Sequence, residues 1–73
     1  MELLNAFAKV LKEYRTNANI SQEELAFRCE LDRTYISLLE RGKRNPTLNV
    51  LFNICTAIEI SPSEFIKKIE DIK

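Results

Sequence analysis

The sequence predicts an all-α fold of five short helices and no strand. Three observations lead there. Apolar residues recur at three- and four-residue steps along each long segment. Cap signals stand ahead of them: Ser21 with Glu24, Asp32, Thr47, and the run Ser61-Pro62-Ser63-Glu64. The single glycine, Gly42, sits where a helix has to stop.

Taken in order, helix 1 is expected over about 2–17, with Leu3, Leu4, Phe7, Val10, Leu11 and Tyr14 at helical spacing. Ser21 caps helix 2, about 22–28, and Glu24 completes a capping box. Leu25 and Ala26 face inward, and the small Ala26 lets helices 2 and 3 cross closely. Asp32 is placed to cap helix 3, about 33–41. Ile36 and Leu39 point inward from it, joined by Leu31 from the turn, and Gly42 closes it in the left-handed conformation. Lys43, Arg44, Asn45 and Pro46 make a loop. Thr47 caps helix 4, about 48–58, with Leu48, Leu51, Ile54, Cys55 and Ile58 inward. Helix 5, about 62–71, opens on Pro62 at its first position and carries Phe65, Ile66, Ile69 and Ile72. With no repeat, linker or low-complexity stretch, residues 1–73 are expected to form one domain.

Composition narrows the function. A chain of 73 residues buries only ~60% of its unfolded surface, which favours oligomerisation. No apolar run approaches the ~20 residues of a membrane span. The start, MELLNAFAKVLKEYR, is an amphipathic helix and not a signal peptide, so a cytoplasmic location in a bacterium or phage is expected. Two cysteines and no histidine exclude a four-ligand zinc site and histidine-based catalysis. Cys29 and Cys55 read as small buried apolar residues, a redox switch being the alternative. No nucleophile–base pair, phosphate loop or metal cluster is present, and no ligand-sensing domain fits the length. Neither a cofactor nor a small-molecule ligand is therefore expected. Eleven basic residues balance eleven acidic ones, but unevenly. Residues 31–45 carry Arg33, Arg41, Lys43 and Arg44 against Asp32 and Glu40, whereas the segment from Pro46 on has a small acidic excess. A surface basic on one side and acidic behind follows.

The segment SQEELAFRCELDRTYISLLER, residues 21–41, carries the functional signal. It reads as two short helices joined by a tight turn, the layout that presents a second helix to the major groove of DNA. Opposite the apolar side of that helix stand Arg33, Thr34 and Ser37, offering a forked donor, hydroxyls and a methyl, the groups that read base edges. The bland alternatives are a solvated arginine paired with Asp32 and ordinary exposed polarity.

Residues 3–66 resemble the helix-turn-helix family of the phage Cro and cI repressors, through Arg15, SQEELA (21–26), LDRTYISLLERGKRNPTL (31–48) and ISPSEF (60–65). Short length and LDRTYISLLERGKRNPT are similar, more narrowly, to the controller proteins of restriction–modification systems. The resemblance implies a lambda-repressor-like domain with its helix-turn-helix at helices 2 and 3. The implied activity is a sequence-specific regulator that binds a palindromic double-stranded operator as a homodimer and regulates its own operon through concentration. A phage-type repressor, or an antitoxin that also binds a partner protein, is the alternative.

The resemblance further implies a structural ion pair between Arg15 and Glu40. Arg15, Gln22, Tyr35, Lys43, Arg44 and Asn45 are expected on the DNA backbone. The dimer interface is expected on helix 5 and the end of helix 4, through Pro62, Phe65, Ile66 and Ile69, with Phe65 foremost. Glu23, exposed near the start of helix 2, is a candidate contact for RNA polymerase; the simpler reading is an acid that favours the helix dipole. Relatives usually place glycine where this chain has Asn19, Glu30 and Glu59. Either these turns differ here, or the fold absorbs a strain of roughly 1 kcal/mol at each glutamate.

Overall fold

A computed structural model describes residues 1–73. It contains five helices and no strand: α1 (Leu3–Asn17), α2 (Gln22–Cys29), α3 (Arg33–Glu40), α4 (Leu48–Ala57) and α5 (Pro62–Ile72). None is long and apolar enough to cross a membrane. The helix starts follow local chemistry. Ser21, Thr47 and Ser61 each accept the N–H three residues on, at 3.0, 3.1 and 3.2 Å. Glu2 caps α1, its carboxylate accepting from the N–H groups of Leu4 and Asn5. Two expectations need correction. Asp32 stands at the N-cap position of α3 but its side chain makes no cap hydrogen bond. Glu24 does not complete the capping box, because its carboxylate turns instead to Arg28, one helical turn on, at 2.9 Å.

Four helices end the same way. After α1, α2, α3 and α4 the chain turns through a left-handed residue: Asn19 (φ 63°), Glu30 (φ 56°), Gly42 (φ 69°) and Glu59 (φ 59°). Each following N–H reaches back to the helix, Ile20 to the Arg15 carbonyl, Leu31 to Ala26, Lys43 to Leu38 and Ile60 to Cys55. This is the Schellman closure, which satisfies carbonyls the helix leaves open. In three cases the following residue, Ile20, Leu31 or Ile60, packs against the core, the apolar contact that accompanies the motif. The turns therefore keep the conformation that glycine would favour, and the core absorbs the strain. Only after α3 is glycine present. There a Cβ would come within 2.6 Å of the Asn5 side-chain oxygen on α1, a flexible group that can move aside, so it is chiefly the left-handed backbone that selects Gly42.

The core lies where all five helices meet, around Val10, Leu11, Leu25, Ile36, Leu39, Ile54, Cys55 and Phe65, all fully buried. The Phe65 ring sits 5.5 Å from Phe7 and 5.7 Å from Tyr14. This corrects the expected interface: Phe65 is wholly inside and Ile69 nearly so, because the helical phase of α5 turns both onto α1. Both cysteines are buried and unpaired, and burial raises both thiols, that of Cys55 to about 11. At neutral pH they are therefore uncharged packing groups.

One polar network crosses this apolar interior. Arg15 of α1 is buried, with its side chain 11% exposed, and meets the Glu40 carboxylate of α3, which is 3% exposed. The pair is bidentate, Nε to Oε2 at 2.6 Å and Nη2 to Oε1 at 3.0 Å. Arg15 also donates to the Ile20 carbonyl at 2.8 Å, and the Gln22 amide of α2 donates to Glu40 at 3.0 Å. The hydrogen bond to Glu40 is the main reason the guanidinium binds its proton more tightly than usual.

Two stability predictions follow. Arg15→Ala strands a buried carboxylate and should cost about 3 kcal/mol or more in urea unfolding, whereas the double change Arg15→Met, Glu40→Leu should cost less than that single change. Glu30→Gly and Glu59→Gly should each raise stability by about 0.5–1 kcal/mol, and Gly42→Ala should lower it. A Glu30→Gly protein that melts earlier than the parent would contradict the left-handed turn.

Candidate nucleic-acid interface

α2, its turn and α3 form the helix-turn-helix. Ile36 and Leu39 fix α3 to the core, and the opposite side is solvent-facing. Arg33 and Thr34 are exposed and Ser37 is half-buried. The helical step 34, 37, 41 carries the same face on to Arg41, which is also exposed. Arg41 was missed in the sequence, although this spacing was the signal that could have found it. Glu40 is consumed by the internal network. The exposed charges of 31–45 are therefore Arg33, Arg41, Lys43 and Arg44 against Asp32 alone. The basic face expected from the sequence is more strongly basic than a residue count suggests.

The loop after α3 places Lys43, Arg44 and Asn45 at the surface beside this face. The Arg44 guanidinium lies over the Tyr35 ring, 5.1 Å from its centroid. Tyr35 is half-buried, its ring packed against the core edge. A shallow cleft runs past both, walled by Leu31, Thr34 and Leu38 on the helix-turn-helix side and by Val50 of α4.

Two expected backbone contacts are drawn inward. Arg15 commits its Nε, Nη1 and Nη2 to Glu40 and Ile20, so only leftover N–H groups and a small exposed edge remain for a phosphate. The Gln22 side-chain amide is held by Glu40, which fixes the start of α2 against α3. On the outer side of α2, Glu24 is paired with Arg28, and Arg28 also donates to the Ala57 carbonyl at the end of α4. Glu23 is exposed and forms no ion pair, and Phe27, one turn on, is 80% exposed.

A second surface is apolar. Leu3, Leu48, Phe52 and Ile66 are exposed, Leu48 by 71%. They line two adjoining grooves formed by the start of α1, the start of α4 and α5, with Pro62 on the rim. Of the residues expected at an interface, Ile66 and Pro62 lie along this surface while Phe65 and Ile69 are in the core, and the exposed apolar residues of α4 are Leu48 and Phe52 in its first half. The signal was present: α4 is apolar nearly all round, more than one buried stripe requires.

Comparison with known proteins agrees with this geometry. A helix-turn-helix family profile matches residues 11–65. The control protein C.BamHI of Bacillus amyloliquefaciens is 41% identical over 82% of this chain and 75% of its own length. The crystal structure of the restriction–modification controller C.AhdI from Aeromonas hydrophila superposes with a TM-score of 0.83 at 44% identity, covering 85% of this chain and 94% of that one. The controller C.Esp1396I, solved as a tetramer on its natural operator, superposes with a TM-score of 0.88 at 37% identity over 97% of this chain and 93% of its own. The chain belongs to the Cro/cI-type helix-turn-helix family of DNA-binding regulators and, within it, is similar to the controller proteins of restriction–modification systems.

Proposed function

We propose that this protein is a sequence-specific transcriptional regulator that binds a palindromic operator as a homodimer and controls a restriction–modification operon that includes its own gene. The observation that carries the reading is the solvent-facing row Arg33, Thr34, Ser37 and Arg41 on a helix whose other side is locked by Ile36, Leu39 and the Glu40 network. A rigid helix with donors aimed outward is what base readout requires. Arg33, Thr34 and Ser37 read bases; Arg41 extends the row. Lys43, Arg44, Asn45 and Tyr35 hold the DNA backbone, with Gln22 and Arg15 stiffening the frame and facing phosphate only through their leftover groups.

The partner face is the apolar surface around Leu48, Phe52 and Ile66, with Leu3 and Pro62 at its margin. Apolar surface of this kind on a small chain is stabilised by a second copy. The two recognition helices then stand about one DNA turn, ~34 Å, apart. Occupancy follows concentration by mass action, with no ligand required. The unpaired Glu23, beside the exposed Phe27, supports a contact with a basic surface of RNA polymerase at an adjacent promoter.

These readings separate experimentally. Arg33→Ala should cost ~1–3 kcal/mol at the operator and leave scrambled DNA nearly unaffected. Arg44→Ala should weaken all sequences alike and flatten the salt slope by about one unit. If Arg33→Ala weakens scrambled DNA as much as operator, its base-reading role is wrong.

Leu48→Glu with Ile66→Glu should give a folded monomer by sedimentation that no longer binds the palindrome cooperatively. A double variant that still sediments as a dimer would move the interface elsewhere. Glu23→Lys should preserve operator binding and abolish promoter activation; activation at the parent level would reduce Glu23 to a solvated helix-start residue.

A further inference from the structure

The loop cation Arg44 stands out for how it is held. The Schellman closure of α3 fixes the chain as far as Lys43, whose N–H reaches the Leu38 carbonyl at 2.9 Å. Beyond it, neither Arg44 nor Asn45 takes part in a backbone hydrogen bond outside the helices. Glu30 and Asp32 line the same cleft as Arg44, yet its ion pairs and hydrogen bonds with both are absent. What engages the guanidinium is the face of Tyr35, 5.1 Å from the ring centroid. The ring itself is anchored, because Tyr35 packs against the core from α3.

We propose that Tyr35 is a positioning residue for Arg44: its ring orders the loop arginine on the recognition helix in the free protein, so that the charge meets the DNA backbone already in place. The proposal rests on the reading of Arg44 as a phosphate contact. Arg44 makes no hydrogen bond or ion pair within the protein, so its N–H fork remains free for a bidentate phosphate while the ring holds the charge. An unsupported arginine on a loop without backbone hydrogen bonds would lose its rotamer freedom on binding, and prior ordering removes part of that cost. The face of the ring does this work, so the phenol hydroxyl is dispensable for it.

The test is a cycle on a short DNA duplex of scrambled sequence. The loss caused by Arg44→Ala is measured in the parent, in Tyr35→Phe and in Tyr35→Leu. The loss should be the same in the parent and in Tyr35→Phe. It should shrink by about two- to fivefold in Tyr35→Leu, the size of an exposed cation–π contact. Measuring the cycle keeps any direct contact of Tyr35 with DNA out of the result, since that contact cancels. In the free protein, the Arg44 side-chain protons should show an upfield ring-current shift that persists in Tyr35→Phe and disappears in Tyr35→Leu. That shift can be read in the parent alone, should Tyr35→Leu fail to fold, and its absence there overturns the proposal. Equal losses in all three backgrounds also overturn it while leaving the phosphate contact standing. An Arg44→Ala protein with unchanged affinity and salt slope overturns the phosphate reading, and the proposal with it.

Discussion

The Glu40 carboxylate is the constraint on which the recognition surface depends. It sits almost out of water and accepts from Arg15 on α1 and Gln22 on α2 while belonging to α3. A buried charge is tolerable only when fully partnered, so displacement of any of the three helices would expose an unmet charge. Apolar contacts alone would let α3 slide or rotate slightly for little energy. The network penalises that motion, because hydrogen bonds are directional and the Arg15 fork fits its acceptor in one orientation. The Ile20 carbonyl, also held by Arg15, adds the turn after α1 to the same frame.

This frame divides labour along one short helix. The inward residues of α3, Ile36, Leu39 and Glu40, set position; Arg33, Thr34 and Ser37 stay at the surface and free to make other bonds. Arg28 plays a related part for α2, tying its outer side to the end of α4 through the Ala57 carbonyl. The helix-turn-helix is therefore braced from α1 on one side and from α4 on the other, while its solvent-facing row carries no structural duty.

Much of this was legible in the sequence because it is local. Helix boundaries fall within one or two residues of expectation, since cap residues and the single glycine act on their own backbone. The Arg15–Glu40 pair was accessible only through family resemblance: its partners stand 25 positions apart and nothing local specifies it. What failed depends on packing between helices. Phe65 and Ile66 are neighbours of equal apolar character, and only the rotation of α5 against α1 decides that Phe65 enters the core. Leu48 and Phe52 look like core residues by composition but lie on the side of α4 that the other helices leave uncovered. Asp32 had the right type and position for a cap, yet its side chain does not turn back to the helix. The position of Arg44 over Tyr35 was equally invisible, since it depends on where the loop passes α3.

The left-handed turns have a consequence beyond folding geometry. Glu30 and Glu59 hold a conformation that disfavours a side chain by roughly 1 kcal/mol each. On a domain this small, that amounts to a factor of about five in the unfolded population for each turn. Where proteolysis draws on that population, the two glutamates would shorten the lifetime of each copy. If occupancy follows concentration, as proposed above, lifetime would set how quickly the level can fall. Two backbone angles, one in the turn of the helix-turn-helix and one at the end of α4, would then bear on how fast that level changes.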